Sequence, residues 1–255
     1  MNFLKKFVRE ILKKNDEPIK KICACCGKEV EAYEPIPQLY IDMAKKFGVT
    51  KNTYEMLSID EYTCPHCQSA DRERAYALTI KKLFKPDDNF KVLEIAPRPC
   101  ITNFIKNNFR VAEYKTGDLF MPDVDYKLDI TNMEQIPDKH FDFFICSHVL
   151  EHVDDDIKAM KELKRILSPK GCGIAVVPID LSRTEIDEDP NCTDVEERWR
   201  RFGQDDHVRA YSKQGFIERL KTCGFKVKEY DKKIFGERAM IENGLAETSV
   251  VYVVA

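Results

Sequence analysis

The chain has 255 residues, with 41 lysines and arginines set against 44 aspartates and glutamates and a formal net charge of -3. A near-neutral chain has no strong overall field to attract nucleic acid, which weakens an RNA substrate without excluding one. Ten cysteines in a chain without an apolar signal segment indicate a reducing compartment, so we expect a cytoplasmic protein. The sequence has no apolar run that approaches the roughly 20 residues of a membrane-spanning helix.

The start of the chain, residues 1–21, predicts a basic amphipathic helix over Asn2–Lys14. Its apolar residues share one face, and its lysines and arginine lie largely opposite. A helix of this kind can make peripheral contact with an anionic membrane surface. We favour the alternative that it packs on the body of the protein or on a partner chain, because a solvated basic face is common.

Two Cys-x-x-Cys pairs predict a zinc-ribbon-like module, which together with a linking helix spans residues 22–82. The cysteines of the two pairs are Cys23, Cys26, Cys64 and Cys67. Each pair fits a turn that directs two thiolates at one ion, and two such turns complete a tetrahedral zinc site. Cys25 and His66 are further donors within the same turns, but the spacing favours the four named cysteines. Four unrelated buried cysteines are the alternative, and the repeated spacing argues against it.

The region between the cysteine pairs is rich in tyrosine, isoleucine and methionine, so we expect it to dock on the main domain. Ala70–Phe84 then predicts the linking helix, begun by Ser69 and the acidic Asp71. The main domain is expected to span residues 83–255.

Within the main domain, Phe90–Ile95 and Val111–Leu119 predict the first two strands. Phe141–Cys146 predicts a buried strand, followed by a polar turn and a helix that Pro169 and Lys170-Gly171 end. Gly173–Pro178 predicts the next strand, which completes a strand, crossover helix, strand unit. Because ligands of open α/β sheets bind beyond the carboxyl ends of the strands, we expect the crevice to lie above residues 146–152.

The residues Phe141-Asp142, the run Ser147–His152 (SHVLEH) and the helix ending in LKRILSPKG resemble class I S-adenosylmethionine (SAM)-dependent methyltransferases of the type 11 kind. The resemblance covers Leu83–Ala255. It implies a Rossmann-like α/β sheet of seven strands whose last hairpin is antiparallel, here preceded by the small zinc-binding module. It also implies SAM as the cofactor and methyl transfer as the reaction.

The same resemblance implies a set of cofactor-binding residues along the carboxyl edge of the sheet. Family members carry Glu/Asp-x-Gly-x-Gly-x-Gly after the first strand, whereas Ala96, Arg98 and Cys100 stand at the glycine positions here. We therefore expect the loop to take a different path or the cofactor to lie further out. Asp118 matches the acid that binds the ribose hydroxyls, and Asp129 matches the acid beside adenine. The full implied set is Glu94, Ile95, Ala96, Pro97, Arg98, Asp118, Asp129, Ile130, Ser147 and His148.

Ser147 and His148 resemble residues that face the methionine end of the cofactor. His148 and His152 lie four positions apart, a spacing that can place both side chains on one helical face and that suggests a metal site. We favour the cofactor explanation, because the chain has no His-Glu-x-x-His pattern.

The charged stretch Asp180–Arg201 predicts an irregular insertion that can cover the crevice. It leads into Phe202–Tyr211, a segment similar to one in bacterial methyltransferases that also carry an N-terminal cysteine-rich module. Its polar residues are Gln204, His207, Arg209 and Tyr211. His207 is the first candidate for a general base at the methyl acceptor and His148 is the second. A packing turn before the next helix is the alternative for this segment.

The end of the chain predicts a helix over Tyr211–Cys223 and two antiparallel strands over Phe225–Tyr230 and Thr248–Val254. The leading functional hypothesis is a SAM-dependent methyltransferase with a small-molecule or saccharide acceptor. The second is an rRNA or tRNA methyltransferase whose zinc module grips RNA, which requires a basic stripe. Lysines near the module that can supply one are Lys20, Lys21, Lys28, Lys45, Lys46 and Lys51. The third is a non-catalytic binding protein, motivated by the missing glycines.

Overall fold

A seven-stranded mixed sheet forms the centre of the protein, for which a computed structural model describes residues 19–50 and 53–255. Its strands are β3 (Phe90–Ile95), β4 (Val111–Asp118), β5 (Tyr126–Lys127), β6 (Phe141–Ser147), β7 (Leu167–Val176), β10 (Val227–Tyr230) and β11 (Val251–Val254). They lie in the order β10-β11-β7-β6-β3-β4-β5. The five strands from β7 to β5 are parallel, and β11 is antiparallel to both of its neighbours. The Rossmann-like sheet with an antiparallel last hairpin is confirmed.

The central strands are apolar on both faces because helices cover both sides of the sheet. In β6, Phe143 and Ile145 belong to one hydrophobic cluster, and the alternate residues Phe144 and Cys146 belong to the other. All four side chains are buried. The strand therefore contributes side chains to both cores, which explains why its sequence is a continuous apolar run.

The helices of the described residues divide between the two faces of the sheet. They are α1 (Gln38–Phe47), α2 (Asp71–Leu83), α3 (Pro99–Asn108), α4 (Asp156–Ile166), α5 (Val195–Phe202), α6 (Lys213–Thr222), α7 (Lys232–Phe235) and α8 (Glu237–Glu242). Residues of α2, α3, α7 and α8 pack in the cluster that contains Phe143. Residues of α4 and α6 pack in the cluster that contains Phe144. Among the described helices, none has both the length and the apolar character needed to cross a membrane.

The junction between α4 and β7 differs from the prediction. The helix ends at Ile166 and the strand begins at Leu167, so Pro169, Lys170 and Gly171 lie within the strand rather than closing the helix. Proline disfavours a helical conformation of the residue before it, which ends the helix early. The strand then contains an irregularity, since Phe141 pairs with Leu167 but Phe143 pairs with Cys172.

The cysteine-rich region packs on the sheet domain through a shared core. It contains the short strands β1 (Lys21–Ile22) and β2 (Glu29–Val30), which pair antiparallel. Cys23, Val30 and Tyr33 belong to the same buried cluster as Phe143. The predicted helix at Asn2–Lys14 lies outside the described residues.

Two further short strands lie beside the main sheet. They are β8 (Asp187–Glu188) and β9 (Arg209–Ala210), which pair antiparallel. This pairing ties the charged insertion to the segment that follows α5. The helix after β9, α6, starts at Lys213 after Ser212, whose hydroxyl accepts a hydrogen bond from the Gly215 amide at 3.2 Å.

Candidate functional site

The four cysteines predicted to bind zinc converge at the junction of two tight turns. The sulfur atoms of Cys23, Cys26, Cys64 and Cys67, which we call the cysteine cluster, all lie within 4.8 Å of one another. Cys23 Sγ is 3.7 Å from Cys67 Sγ, and Cys26 Sγ is 4.0 Å from Cys64 Sγ. Four thiolate donors in a closed arrangement are typical of a structural zinc site.

The two turns of the cysteine cluster have the same backbone pattern. The Gly27 amide donates to Cys23 O at 2.8 Å, and the Gln68 amide donates to Cys64 O at 2.9 Å. Gly27 and Gln68 both have a positive φ, of 71° and 57°. The second turn thus requires a left-handed conformation of a glutamine, which is uncommon outside glycine.

Nearby donors do not join the cysteine cluster. Cys25 is buried and its thiol donates to Glu73 O at 3.3 Å, on α2. Ser69 was expected to begin that helix, but Ala70 is the residue before its first turn. The Ser69 hydroxyl instead lies 3.4 Å from Cys23 Sγ, so it belongs to the surroundings of the cluster.

The loop after β3 keeps a glycine-like conformation without glycine. Ala96 has a φ of 51°, in the left-handed region where glycine is favoured. Its amide donates to Gly117 O on the neighbouring strand at 2.9 Å. Glu94 accepts the Arg98 amide at 2.9 Å and the Thr102 and Tyr114 hydroxyls at 2.6 Å each. Burial raises the pKa of this carboxyl.

This loop forms one side of a cavity of about 160 Å³, the first-loop cavity. Its lining residues are Arg72, Glu73, Tyr76, Glu94, Ile95, Ala96, Arg98, Ile101, Ile145, Ser147 and His148. The Arg98 side chain is 51% exposed at the rim, and its Nε is 3.9 Å from Glu73 Oε1. The cavity therefore brings together six of the residues that the resemblance assigns to the cofactor.

The remaining predicted cofactor residues lie outside that lining. Asp118 ends β4, and its Oδ1 accepts the Phe120 and Met121 amides at 2.6 and 2.7 Å. Asp129 is exposed and its Oδ1 accepts the Thr131 amide and hydroxyl. Asp118 is the last residue of β4, and Asp129 follows β5. Both acids therefore lie at the carboxyl edge of the sheet, on the side of β3 where β4 and β5 follow in the strand order. Pro97 is half-buried in the first loop.

Ile130, which the resemblance assigns to the cofactor site, is 3% exposed and belongs to the core that contains Phe144. Little of its surface is therefore accessible to a ligand.

The end of β6 faces the first-loop cavity and a second cavity beside it. Ser147 Oγ is hydrogen-bonded to the Tyr76 hydroxyl at 2.8 Å. His148 has a φ of 55°, and its amide donates to Val176 O at 2.9 Å. It lies in an irregular loop rather than on a helix, so His148 and His152 do not share the helical face that their spacing would allow. Burial, with Arg72 and two histidines nearby, holds the pKa of His148 well below its ordinary value.

The second cavity, the tyrosine cavity, encloses about 230 Å³ and shares Arg72 and His148 with the first. Its lining residues are Ile36, Tyr40, Tyr54, Met56, Leu57, Tyr62, Arg72, His148, Glu151, His152, Val177, Pro178, Ile179, Gly203, Gln204 and His207. The region between the cysteine pairs supplies the aromatic side. At Gly203 a Cβ would lie 2.5 Å from the Tyr54 hydroxyl, so glycine permits this close approach.

Three side chains at the tyrosine cavity, Glu151, His152 and His207, place their ligand-type atoms within 4.8 Å of one another, and we call them the Glu151 cluster. Glu151 is 0% exposed, and neither carboxylate oxygen accepts a hydrogen bond from another described residue. Burial raises the pKa of Glu151 to about 8. The His152 and His207 rings make an edge-to-face contact at 4.6 Å.

Arg209 and Tyr211 hold the loop after β6 and lie outside the lining of the tyrosine cavity. Arg209 is 1% exposed and donates to the carbonyls of Leu150 at 2.7 Å, Val153, and Asp154 at 2.8 Å. The Tyr211 hydroxyl donates to Asp156 Oδ2 at 2.5 Å. The sequence placed both residues near the acceptor, but their contacts are those of a packing segment. Gln204 and His207 from the same segment do line the cavity.

Sequence reasoning missed the first turn of α2, which walls both cavities. Arg72 donates to the Tyr62 hydroxyl at 2.8 Å, and its Nε is 3.0 Å from Glu73 Oε1. Arg74 is buried and donates to the carbonyls of Glu61, Tyr62, Ser69 and Asn243. The available signal was a run of four charges, DRER, at the start of an otherwise apolar helix.

The insertion at Asp180–Arg201 covers the crevice only through the residues that follow it. Residues 184–190 line a separate, open groove together with Asp154–Ile157 and residues of α6. The end of α5 then presents Gly203 and Gln204 to the tyrosine cavity. The roof of that cavity comes from the region between the cysteine pairs, which the sequence predicted to dock but not to cover a site.

Comparison with known proteins agrees with the topology. Residues 102–175 match the family model of a methyltransferase domain, a stretch that runs from α3 into β7. A search of the curated proteins returns no match to the sequence. The seven-stranded order, the antiparallel hairpin and this match together define an α/β fold of the class I methyltransferase kind.

Several solved structures are similar at low identity. One is a chain of the complex between the Haloferax volcanii Trm112 methyltransferase activator and a methyltransferase, with 14% identity over 72% of this chain and 92% of that chain and a TM-score of 0.47. A SAM-dependent methyltransferase from Archaeoglobus fulgidus has 14% identity over 74% and 94% of the chains and a TM-score of 0.45. One from Mesorhizobium loti has 12% identity over 71% and 97% and a TM-score of 0.44.

Proposed function

We propose that the protein is a SAM-dependent methyltransferase that acts on a small-molecule or saccharide acceptor. The observation that carries this proposal is the pair of adjoining cavities at the carboxyl edge of the sheet, which share Arg72 and His148. One cavity is formed by the loop after β3, where nucleotide cofactors bind in open α/β sheets. The other is aromatic and lies on the far side of His148, where an acceptor can reach a donated methyl group.

The residues around the first-loop cavity fit a SAM molecule. Ala96 holds a left-handed conformation of the kind that glycine favours, so the loop keeps one glycine-like residue at a position where the family has glycine. Among the described residues, the loop amides that donate to Asp118 both donate to its Oδ1. Its Oδ2 could therefore accept a hydrogen bond from a ribose hydroxyl. Asp129, Ser147 and His148 would line the rest of the cofactor. When bound, SAM supplies an electrophilic methyl group on a sulfonium.

His148 is better placed than His207 to take a proton from the acceptor. It belongs to both cavities, whereas His207 lines the tyrosine cavity alone. The Nδ1 of His207 is 3.1 Å from Phe202 O, which fixes its ring. In the proposed reaction the acceptor oxygen attacks the methyl carbon, the carbon–sulfur bond breaks with its electron pair going to sulfur, and the acceptor proton passes to the imidazole.

The small tyrosine cavity supports a small acceptor. Its roof of Tyr40, Tyr54 and Tyr62 offers aromatic faces and hydroxyl groups, the surface that commonly contacts a sugar or another small hydroxylated molecule. The lysines that an RNA-binding stripe would need are partly neutralised. Lys20 is 3.0 Å from Glu29 and Lys21 is 2.6 Å from Glu61.

We propose further that the cysteine cluster binds zinc. Four thiolates from two turns have the donor set and the closed geometry of a structural site. Because Cys23 lies in the core that reaches the sheet, the ion would hold the roof of the tyrosine cavity in place. An ion held there would support the proposed active site without contacting it.

The test is calorimetric titration of SAM into the wild-type chain and Asp118→Ala. We expect binding by the wild type and an affinity loss of about 1.5–3 kcal/mol in the variant, because a charge-assisted hydrogen bond is removed. Asp123→Ala is the matched control, since Asp123 is an exposed acid in the same loop. Absence of SAM binding by the wild type would contradict the enzyme and favour a non-catalytic protein.

Arg98 gives a second test of the cofactor site. Its half-exposed guanidinium lies at the rim beside Glu73, where it can turn onto the methionine carboxylate of SAM. Arg98→Gly should then weaken SAM binding by about 1.5–3 kcal/mol. Tighter binding by the variant would mean that Arg98 blocks the cavity.

A further inference from the structure

We propose that the Glu151 cluster is a second metal site, which binds a first-row divalent transition-metal ion such as Zn²⁺ at the floor of the tyrosine cavity. Glu151, His152 and His207 offer one carboxylate and two imidazole donors within 4.8 Å of one another. Ligand atoms of one tetrahedral zinc ion lie about 3.3 Å apart, as follows from bond lengths near 2.0–2.1 Å. Small rotations of these side chains would therefore close the site.

The buried carboxylate is the independent observation that points to a ligand. Glu151 is 0% exposed, lines the tyrosine cavity and accepts no hydrogen bond from another described residue at either oxygen. Native proteins hydrogen-bond or pair their buried carboxylates, because an isolated one is costly. Two ring nitrogens lie near Glu151 Oε1, His148 Nδ1 at 3.4 Å and His152 Nε2 at 3.9 Å. A cation between Glu151 and the histidines would satisfy all of these groups.

The outer contacts of the two histidines match those of metal-bound imidazoles, whose second nitrogen is usually held by a carboxylate or a backbone carbonyl. His152 Nδ1 lies 3.3 Å from Asp206 Oδ2, and His207 Nδ1 lies 3.1 Å from Phe202 O. Each contact directs the Nε2 side of its ring toward the ion. Asp206 also adds a negative charge beside the site.

Neighbouring cations do not occupy the position. Arg72 lines the same cavity, but its Nε is 3.0 Å from Glu73 and its Nη1 donates to the Tyr62 hydroxyl. Arg209 is held by the carbonyls of Leu150, Val153 and Asp154. Both guanidiniums thus have partners elsewhere, and neither donates a hydrogen bond to Glu151, although Arg72 Nε makes no hydrogen bond among the described residues.

The site differs in character from the cysteine cluster, because three protein ligands leave coordination positions open. Those positions would face the tyrosine cavity, where the ion could bind an oxygen of the acceptor and favour transfer of its proton to His148, which lines the same cavity. This role in catalysis rests on the proposed methyltransferase function. Metal binding itself does not, so the two can be tested separately.

The experiment is a titration of Zn²⁺ into the full chain after a mild chelator has removed weakly held metal. We expect about one further ion per chain beyond the one held by the cysteine cluster. Glu151→Gln should weaken this second binding event at least about 100-fold, and Asp206→Asn about 10-fold, the usual range for an outer contact. Co²⁺ in the same position should lack the thiolate charge-transfer absorption that it shows in the cysteine cluster.

His140→Ala is the matched control, since His140 pairs with Glu113 away from both cavities and its loss should leave both ions bound. His207→Asn tests the site a second time if Glu151→Gln does not fold. SAM titration of each variant checks that the fold and the cofactor site persist. A wild-type chain that binds SAM but no second ion, or a Glu151→Gln variant with unchanged second binding, would overturn the proposal.

Discussion

The cysteine cluster and the Glu151 cluster differ in how the chain builds them. The first takes like donors from two tight turns, each stabilised by its own backbone hydrogen bonds. The second takes Glu151 and His152 from one loop and His207 from a distant segment, and it opens onto a cavity. A closed thiolate site stabilises structure, whereas an open site of oxygen and nitrogen donors can bind a further ligand. If both proposed sites bind metal, the protein would separate a stabilising cluster from a reactive one.

The two clusters are nevertheless connected through α2. Arg74 donates to Ser69 O beside the cysteine cluster and to Glu61 O in the roof of the tyrosine cavity. Arg72, two residues earlier, belongs to both cavities. Loss of the first cluster should therefore disturb the second, while the reverse need not hold.

The largest effect is expected for Cys64→Ser. The variant should release about one zinc ion per chain and lose at least about 4 kcal/mol of unfolding free energy, since metal loss is among the few severe single-residue effects. Metal analysis and urea unfolding measure the two quantities. SAM binding should weaken as well, because the roof and wall of the cavities lose their support.

Cys192→Ser is the control for that experiment, because Cys192 is a half-buried thiol in the charged insertion. It should leave both metal content and stability unchanged. If wild-type protein prepared without chelators carries no zinc, the cysteine cluster is not a metal site and the contrast between the clusters fails.

Arg209→Met should give the next largest effect. The guanidinium lies 3.8 Å from Asp156 and donates to carbonyls on both sides of the Glu151–His152 loop. Breaking such a buried ionic contact costs about 3–5 kcal/mol. Zinc in the cysteine cluster should be retained while the second ion is lost, which would show that Arg209 positions one cluster only.

Arg200→Met is the surface counterpart, since Arg200 pairs with Glu196 and Glu197 on the exposed side of α5. Its cost should stay below about 1 kcal/mol, as for other exposed ion pairs. If Arg209→Met loses equally little unfolding free energy, the loop after β6 keeps its conformation without the hydrogen bonds from Arg209.

The difference between the clusters also explains what the sequence could predict. Local sequence patterns identify features that depend on neighbours within a few residues. Spacing identifies Cys23 and Cys26, and the apolar pattern identifies the strands Phe90–Ile95 and Phe141–Ser147. The number of strands and the antiparallel last hairpin followed from the family resemblance. The sequence accordingly predicts the four cysteines whose sulfur atoms converge in the cysteine cluster.

The tyrosine cavity and the Glu151 cluster depend on contacts between distant segments. His207 meets Glu151 only because the Val208 amide donates to Glu151 O at 2.9 Å, a contact that no local pattern encodes. The burial of Glu151 depends on the same packing between distant segments. The sequence alone therefore identifies Glu151 only as part of the SHVLEH motif. Local pattern likewise misjudged Arg209, whose role is set by the carbonyls around it.

The smallest effect is expected at Ala96, where the sequence lacks the family's glycine but the backbone has a conformation that favours glycine. The missing glycine predicted a different path, yet Ala96 has a φ of 51°. A left-handed alanine costs roughly 1–2 kcal/mol, and glycine loses roughly 0.5–1 kcal/mol more conformational entropy on folding. Ala96→Gly should therefore stabilise the protein by about 0.5–1 kcal/mol in urea unfolding. Both metal sites and SAM binding should be unaffected.

Ala239→Gly, in the helix α8, is the control with the opposite sign, because glycine in a helix costs about 1 kcal/mol relative to alanine. If Ala96→Gly also destabilises the protein, the first loop does not hold the left-handed conformation in solution. The loop would then follow the different path that its sequence suggested, and the fit of SAM to the first-loop cavity would lose its main support.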